Sequence, residues 1–259
     1  MCLITFAWNP NPALRLLVVA NRDEFHGRPS TALAAWPDQP DLIAGRDVEA
    51  HGTWLGVSTR GRLAAVTNVR LPGLPVSGLR SRGALTLDFL TGSATPEAHL
   101  HALQGTLASY GPCNLLLADT QQAFYASNQN GLPVQRLHDG VYGLSNAALD
   151  TPWPKTLRLK AAVRQWLAES AITDTHALFT ALADASTPPD AALPDTGVGL
   201  SRERFVAPAF IVGREYGTRC STVVMVDANG QGLAIERRFG PDGVALGESR
   251  VAFEWPVTR

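Results

Sequence analysis

Lysine is nearly missing from this chain. Of its 22 basic residues only Lys155 and Lys160 are lysines, and the others are arginine. Arginine favours bidentate recognition of anions, although a genome's base composition produces the same skew. Cysteine is also scarce. Cys2, Cys113 and Cys220 form neither a disulfide framework nor a metal-binding spacing, so no metal site is expected. A charge excess is absent, with 22 basic residues against 23 acidic ones, which removes the global signature of a nucleic-acid binder. No apolar run approaches the ~20 residues that a membrane helix needs, so no integral membrane segment is expected. The amino-terminal stretch has no basic residue ahead of its apolar run, and Asn9, Asn11 and Arg15 interrupt that run, so it is not a secretory signal. Cytoplasm is the default compartment. Internal repeats and low-complexity segments are absent too. What the chain does have is apolar residues, 45% against 17% charged, enough for a sizeable core. We expect one domain over residues 1–259; the composition leaves the oligomeric state open.

The order of elements follows from periodicity and turn chemistry. Cys2 opens an apolar run with the look of a strand, and Leu14 to Ala20 reads as a second strand buried on both faces. Asn9-Pro10-Asn11-Pro12 between them is turn chemistry, which predicts a hairpin. The polar block Asn21-Arg22-Asp23-Glu24 follows, and either surfaces or lines a site. Residues 26–50 read as a long irregular loop, a class that is often functional. Thr53 to Ser58 and Leu63 to Asn68 give a second hairpin around Arg60-Gly61-Arg62. Two helices follow: one over Gly83 to Leu90, and one that starts at Thr95-Pro96-Glu97 and runs through Leu100, Leu103 and Leu107. Strands resume at Asn114 to Asp119, Ala123 to Ala126, Val134 to Leu137 and Gly140 to Leu144. Asp150-Thr151-Pro152 starts the longest helix, with Trp153, Leu157, Ala161, Val163, Trp166 and Leu167 on its apolar stripe and Lys155, Arg158 and Arg164 on a solvated face. A further helix is expected near Thr175 to Ala185, an excursion over 187–217, and then strands at Ser221 to Val226, Leu233 to Phe239 and Val251 to Trp255. Strand pairs joined by short turns imply mainly antiparallel sheets with helices as outer layers, an α+β architecture.

The chemistry centres on Cys2. Removal of Met1 would place its thiol and a free α-amine on one carbon. With a thiol pKa of ~8.5 and an α-amine pKa of ~7.7–8.0, the amine can take the thiol proton near neutral pH. The alternative is a small residue that fits inside a first strand. A working nucleophile also needs a polar group to orient the amine and donors for a tetrahedral oxyanion. The candidates, each at or near a strand end, are Asn21-Arg22-Asp23, Asn68, Asn146 and Arg219. Between Glu49 and Asp88 there is no acid, while Arg60, Arg62, Arg70, Arg80 and Arg82 supply five positive charges. They form either a funnel for an anionic ligand or a solvated surface countered by acids from elsewhere in the fold.

The block Ala20-Asn21-Arg22-Asp23-Glu24-Phe25, with Arg28-Pro29 after it, resembles the signature of the NRDE family, also called the transport and Golgi organisation protein 2 family. Gly52-Thr53-Trp54-Leu55-Gly56, Ala65-Val66-Thr67-Asn68, Gly143-Leu144-Ser145-Asn146, Pro152-Trp153 with Lys155, and Tyr216-Gly217-Thr218-Arg219 extend the resemblance over nearly the whole chain. That family in turn resembles N-terminal nucleophile hydrolases of the penicillin V acylase and bile salt hydrolase type.

The resemblance implies a four-layer αββα sandwich of two mainly antiparallel sheets. It implies Cys2 as nucleophile and base, Arg22 with Asp23 holding the thiol and the α-amine, Asn68 and Asn146 supplying oxyanion and amine contacts, and Arg219 bracing the site. Asn21, Glu24, Arg60 and Arg70 are expected at the ligand. The acylases have their Asp three residues after the Arg, whereas Asp23 adjoins Arg22 here; neighbours in a strand point to opposite faces, so both reach one site only where the strand bends. The expected activity is hydrolysis or acyl transfer on an amide or thioester through an acyl-Cys2 intermediate, with no cofactor required. The alternative is a non-catalytic carrier of haem, acyl-CoA or lipid, with His26, His51 or Cys2 touching haem iron and the arginine-rich stretch 60–82 meeting propionates or phosphates. A regulatory role without a small ligand is a third possibility. A small-molecule substrate or ligand is the expected partner, and nucleic acid is not.

Overall fold

The computed structural model describes residues 2–71, 79–129, 134–169 and 174–257. Met1 and the middle of the Pro- and Gly-rich loop after Asn68 lie outside these residues.

The chain runs through β1 (Cys2–Asn11), β2 (Leu14–Phe25), β3 (Ala34–Trp36), β4 (Gln39–Ala44), β5 (Leu55–Ser58) and β6 (Arg62–Asn68), then α1 (Gly83–Thr91) and α2 (Pro96–Leu103). It continues through β7 (Cys113–Ala118), β8 (Ala123–Ser127), β9 (Gln135–Leu137), β10 (Gly140–Leu144), α3 (Pro154–Glu169), α4 (His176–Leu182), α5 (Leu200–Val206), β11 (Tyr216–Asp227), β12 (Gln231–Phe239) and β13 (Ala245–Glu254). Every ladder between these strands is antiparallel. One sheet has the order β10-β1-β2-β11-β12-β13 and the other β3-β4-β5-β6-β7-β8-β9.

The two sheets stack. Alternate residues of β1 and β2 (Ile4, Phe6, Trp8; Leu16, Val18, Ala20) pack against Leu55, Val57, Leu63, Ala65 and Leu116 of the second sheet. The other faces carry the helices. Leu3, Ala7, Leu17 and Val19 meet Leu159, Val163 and Trp166 of α3 and Leu178, Phe179 and Leu182 of α4. Ala64, Val66, Leu115 and Leu117 meet Leu85, Phe89 and Leu90 of α1 and Leu100 of α2. The result is the αββα sandwich, and it explains why β2 is apolar on both faces: sheet on one side, helix on the other.

Local chemistry sets the ends of elements. Asn11 Oδ1 accepts from the N–H groups of Ala13 and Leu14 at 3.0 Å each, turning the chain from β1 into β2. The β5–β6 turn uses Gly61 at φ +79°. Thr95 caps α2 by accepting from Ala98 N–H, with Pro96 in the first turn.

Three sequence expectations change. Residues 26–50 are not one irregular loop, because β3 and β4 form the edge of the second sheet there; their few residues, broken by Pro37 and Pro40, hide the alternation. The excursion over 187–217 contains α5. The buried face of α3 is Lys155, Thr156, Leu159, Val163 and Trp166, while Leu157 is 51% exposed. Lys155 is therefore not on a solvated face: it is 3% exposed.

Candidate active site

Cys2 pairs with Arg22 across the β1–β2 ladder, and Arg22 pairs with Cys220 across the β2–β11 ladder. Directly opposite residues share a face, so the three side chains form a row on the inner face of the first sheet. All three line one cavity of about 490 Å³. Cys2 and Cys220 are two strand spacings apart, ~10 Å, beyond the ~7 Å over which a disulfide forms, and both thiols are free.

The ladder also places Asp23. Asp23 directly follows Arg22, the residue that pairs with Cys2. On its other side Asp23 pairs with Thr218, while Arg22 pairs with Cys220, so Arg219 is an extra residue in β11. This bulge lies beside the Arg22-Asp23 step. Bulges bend a strand and re-aim its side chains, and both Arg22 and Asp23 line the cavity. Thr218 Oγ1 donates to Asp23 Oδ1 at 2.7 Å. The bulged Arg219 donates to the carbonyls of Phe25 and Arg28 at 2.8 and 2.9 Å, fastening the chain that leaves β2.

Cys2 is held from the other edge by Ser145, whose hydroxyl donates to the Cys2 carbonyl at 3.0 Å. Ser145 also donates to Asn146 Oδ1, and Asn146 Nδ2 donates to the carbonyl of Asn68 at 2.8 Å. Asn68 lines the cavity and Asn146 does not. Arg70 N–H returns to the Asn146 carbonyl at 2.8 Å. Asn114 Nδ2 donates to the Ala147 carbonyl at 2.8 Å and to Thr67 Oγ1 at 3.2 Å, and receives Tyr125 OH at 2.9 Å. Buried amides thus stitch the ends of β6 and β7 in one sheet to the end of β10 in the other, at the level of Cys2.

The other candidates divide. Glu24 lines the cavity. Asn21 faces the helices, donating to the carbonyls of Leu182 and Ala209 at 2.8 and 2.7 Å and accepting from Ser221 at 2.6 Å. Arg60 caps the end of α1 through the carbonyls of Leu90 and Thr91, where a cation meets the negative end of the helix dipole. Arg62 does the same through Phe89 and Ala94. Arg70 pairs with Glu203 at 2.6 Å and lies over the Trp153 ring. Of the arginine-rich stretch, only Arg80 and Arg82 line the cavity, and neither His26 nor His51 does.

Several lining residues carried no sequence signal. Cys220, Asp47, Glu236 and Arg238 come from three separate segments. Ser145 was visible inside the Gly143–Asn146 motif, but its bond to Cys2 depends on the β1–β10 pairing. Seven arginines line the cavity against five acids. Asp47 is occupied by Arg28 at 2.6 Å and lies 3.7 Å from Arg22, so the surplus is positive.

Electrostatics keep the thiols neutral at rest. Burial pushes the Cys2 thiol up, and Asp23 and Glu24 add to this against the chain's amino terminus and Arg22. Burial raises Cys220 well above its usual range, with Glu236 contributing. Burial also raises the Asp23 carboxyl, opposed first by the positive charge of the chain's amino terminus and then by Lys155, the Thr218 hydroxyl and Arg22. A thiol held protonated attacks a carbonyl only if a base removes its proton during the attack.

The sequence model of the family described as Transport and Golgi organisation 2 matches residues 1–241. The chain belongs to that family. Among its relatives, the Transport and Golgi organization 2 homolog of Mus musculus is 35% identical over 257 residues, 92% of each chain. The Homo sapiens homolog is 34% identical over 270 residues, 96% of this chain and 97% of the relative. Two solved structures of conjugated bile acid hydrolase variants from Clostridium perfringens share the fold. One has a TM-score of 0.51 at 9% identity, covering 100% of this chain and 98% of that one; the other has 0.52 at 9%, covering 98% and 92%. At that identity the likeness is one of fold, the N-terminal nucleophile hydrolase sandwich. This member of the Transport and Golgi organisation 2 family therefore has a hydrolase-like scaffold. Among its described residues no helix is long and apolar enough to cross a membrane.

Proposed function

We propose that the protein is a cysteine N-terminal nucleophile hydrolase or acyltransferase acting on an amide or thioester. The observation that carries this reading is the Cys2–Arg22 pair in the cavity wall, with Asp23, next to Arg22, also lining the cavity. Once Met1 is removed, the α-amine of Cys2 takes the thiol proton as Sγ attacks the substrate carbonyl. The new C–S bond forms as the C–O π bond opens to an oxyanion. The amine then gives its proton to the leaving nitrogen or sulfur, whose bond to carbon breaks, leaving acyl-Cys2. Water, or an acceptor nucleophile, attacks that thioester with the amine again as base, and the thiol leaves with its proton restored. Asp23 orients the ammonium, Arg22 attracts the thiolate, and Asn68, which lines the cavity and whose carbonyl is held by Asn146, supplies the oxyanion donor. Ser145 fixes the Cys2 backbone. The conjugated bile acid hydrolase neighbour supports hydrolysis as a use of this scaffold.

The surplus of arginine in the cavity supports a second reading, a non-catalytic carrier of an anionic ligand such as haem, acyl-CoA or an acidic lipid. Intact mass and a p-nitrophenyl acyl ester test both. Acyl transfer requires loss of Met1, an acyl adduct at Cys2 in the wild type, none in Cys2→Ala, and an oxygen ester in Cys2→Ser. A retained Met1, or no adduct together with tight haem or acyl-CoA binding that survives Cys2→Ala, overturns the enzyme reading in favour of the carrier.

A further inference from the structure

The row of side chains on the inner face of the first sheet has a fourth member. Cys220 pairs with Arg238 across the β11–β12 ladder, so Cys2, Arg22, Cys220 and Arg238 follow one another across four strands. The next position in the row is Gly247 of β13, which has no side chain. Its φ is +128°, and Nη2 of Arg238 lies 3.1 Å from the point where a Cβ would stand. The guanidinium therefore leans over β13, away from Cys2, in space that a larger residue at 247 would take. Arg238 lines the cavity, and it differs from the other arginines there. Arg28 is held by Asp47 at 2.6 Å, Arg46 by Asp38 at 3.0 Å, and Arg219 by two carbonyls. Arg80 lies over the Tyr110 ring, Arg82 reaches the Pro112 carbonyl at 3.4 Å, and Arg22 lies 3.7 Å from Asp47. Among the described residues the Arg238 guanidinium makes neither a hydrogen bond nor an ion pair, and its Nε is enclosed without a partner. The acid two residues earlier on the same face, Glu236, instead accepts from Leu33 N–H at 2.9 Å.

We infer that Arg238 determines substrate specificity by binding a carboxylate or phosphate that the amide or thioester carries far from its scissile carbonyl. The inference rests on the reading of Cys2 as the nucleophile. A guanidinium presents a planar fork that matches either oxyanion, and a charge held in a cavity wall without a hydrogen bond is costly until an anion pairs with it. The register sets the length of the substrate. Three strand spacings separate Cys2 from Arg238, ~14 Å, and the lean toward β13 lengthens the path. The anion therefore stands on the order of 15 Å from the carbonyl at Cys2. Phe239 and Leu246 also line the cavity and offer apolar surface to the intervening chain. A compact substrate, with its charge close to the carbonyl, cannot reach both Cys2 and Arg238, so length and charge are read together. Arg238 touches none of the reacting atoms; it decides which molecules bring a carbonyl to Cys2.

The probes are p-nitrophenyl esters of dodecanoic acid, of dodecanedioic acid (a half ester with a free carboxylate) and of dodecanoic acid with a phosphate on its terminal carbon. Hexanoic and hexanedioic esters are the short pair. Acylation of the full-length protein is followed by nitrophenolate release. In the wild type, kcat/KM for the better of the two long anionic probes should exceed that for the neutral one by roughly tenfold to a hundredfold, and the short pair should show no such preference. Whichever long anion is favoured names the source, carboxylate or phosphate. Arg238→Met should abolish the preference and Arg238→Lys should keep part of it. Arg46→Met removes an equal charge from the same cavity and should leave the preference intact. Equal losses in Arg238→Met and Arg46→Met would make the preference a property of the whole cavity and overturn the inference. A wild type indifferent to the terminal charge overturns it too, whether or not any variant folds. Calorimetric titration of Cys2→Ala with dodecanedioate and dodecyl phosphate gives a readout free of acylation. Adding Arg238→Met should weaken the favoured anion by a similar factor, and unchanged binding refutes the role of Arg238. Should no probe acylate the wild type, the acyl-transfer reading fails while this titration still decides for or against Arg238.

Discussion

Asn21→Ala should destabilise the fold severely and leave the cavity chemistry alone. The Asn21 amide makes three buried hydrogen bonds: to the Leu182 carbonyl at the end of α4, to the Ala209 carbonyl in the segment before β11, and from Ser221 on the neighbouring strand. Each such bond contributes about 1 kcal/mol net, and a buried partner left unsatisfied costs about 1–3 kcal/mol. Two carbonyls and a hydroxyl are orphaned together, so about 3–5 kcal/mol should be lost, a large part of the ~5–15 kcal/mol that holds a typical domain. Asn21→Asp should be no better, since it faces two carbonyl oxygens with a carboxylate. Urea unfolding followed by tryptophan fluorescence measures the loss, with the slope unchanged if only the native state is affected. At ~2–4 °C per kcal/mol, Tm should fall by about 10 °C. Below the new transition, any acylation of Cys2 should proceed at the wild-type rate. A stability loss under about 1 kcal/mol, or a loss of ligand affinity with stability intact, would refute the reasoning and put the amide in the cavity.

The buried Arg70–Glu203 pair gives a second prediction. Arg70→Met leaves a carboxylate that is 3% exposed without its guanidinium, which should cost about 3–5 kcal/mol in urea unfolding, and Arg70→Met combined with Glu203→Leu should recover much of it. A third concerns pH. Burial raises the Glu236 carboxyl, so the folded state favours its protonated form. That contribution is full below the usual carboxylate range and is lost as pH rises through the folded value. Glu236→Gln, which can still accept from Leu33 N–H as Glu236 does at 2.9 Å, should therefore be more stable than wild type at pH 7–8 and show no such gain at pH 4. Equal differences at the two pH values would contradict the assignment.

The strand pairs, the caps and the alternation of apolar and polar residues are local properties, and they made the antiparallel sheets and outer helices legible before any coordinates. The motif resemblance pointed to Cys2, Arg22, Asp23, Asn68, Asn146 and Arg219 together, and all but Asn146 line the cavity. Residues 34–44 were not legible as strands, because segments this short carry too few repeats of the period-two signal. The α3 stripe was displaced because Leu157 looks apolar in sequence while Lys155 looks exposed; burial follows from which face of the helix meets the sheet, and the charge of a single residue does not decide that.

By itself, then, the sequence determined the identities: a thiol at position two, one run of polar residues at the end of an apolar strand, arginine in nearly every basic position and two lysines. Tertiary structure alone decided which of those groups share a space. Register set Arg22 opposite both Cys2 and Cys220, and β11 bulges at Arg219 beside the Arg22-Asp23 step. Asn21, from the same run, faces the helices, and Lys155 is buried with its ammonium on the Val206 carbonyl, because contacts between strands and between layers depend on pairing and packing that no linear pattern encodes.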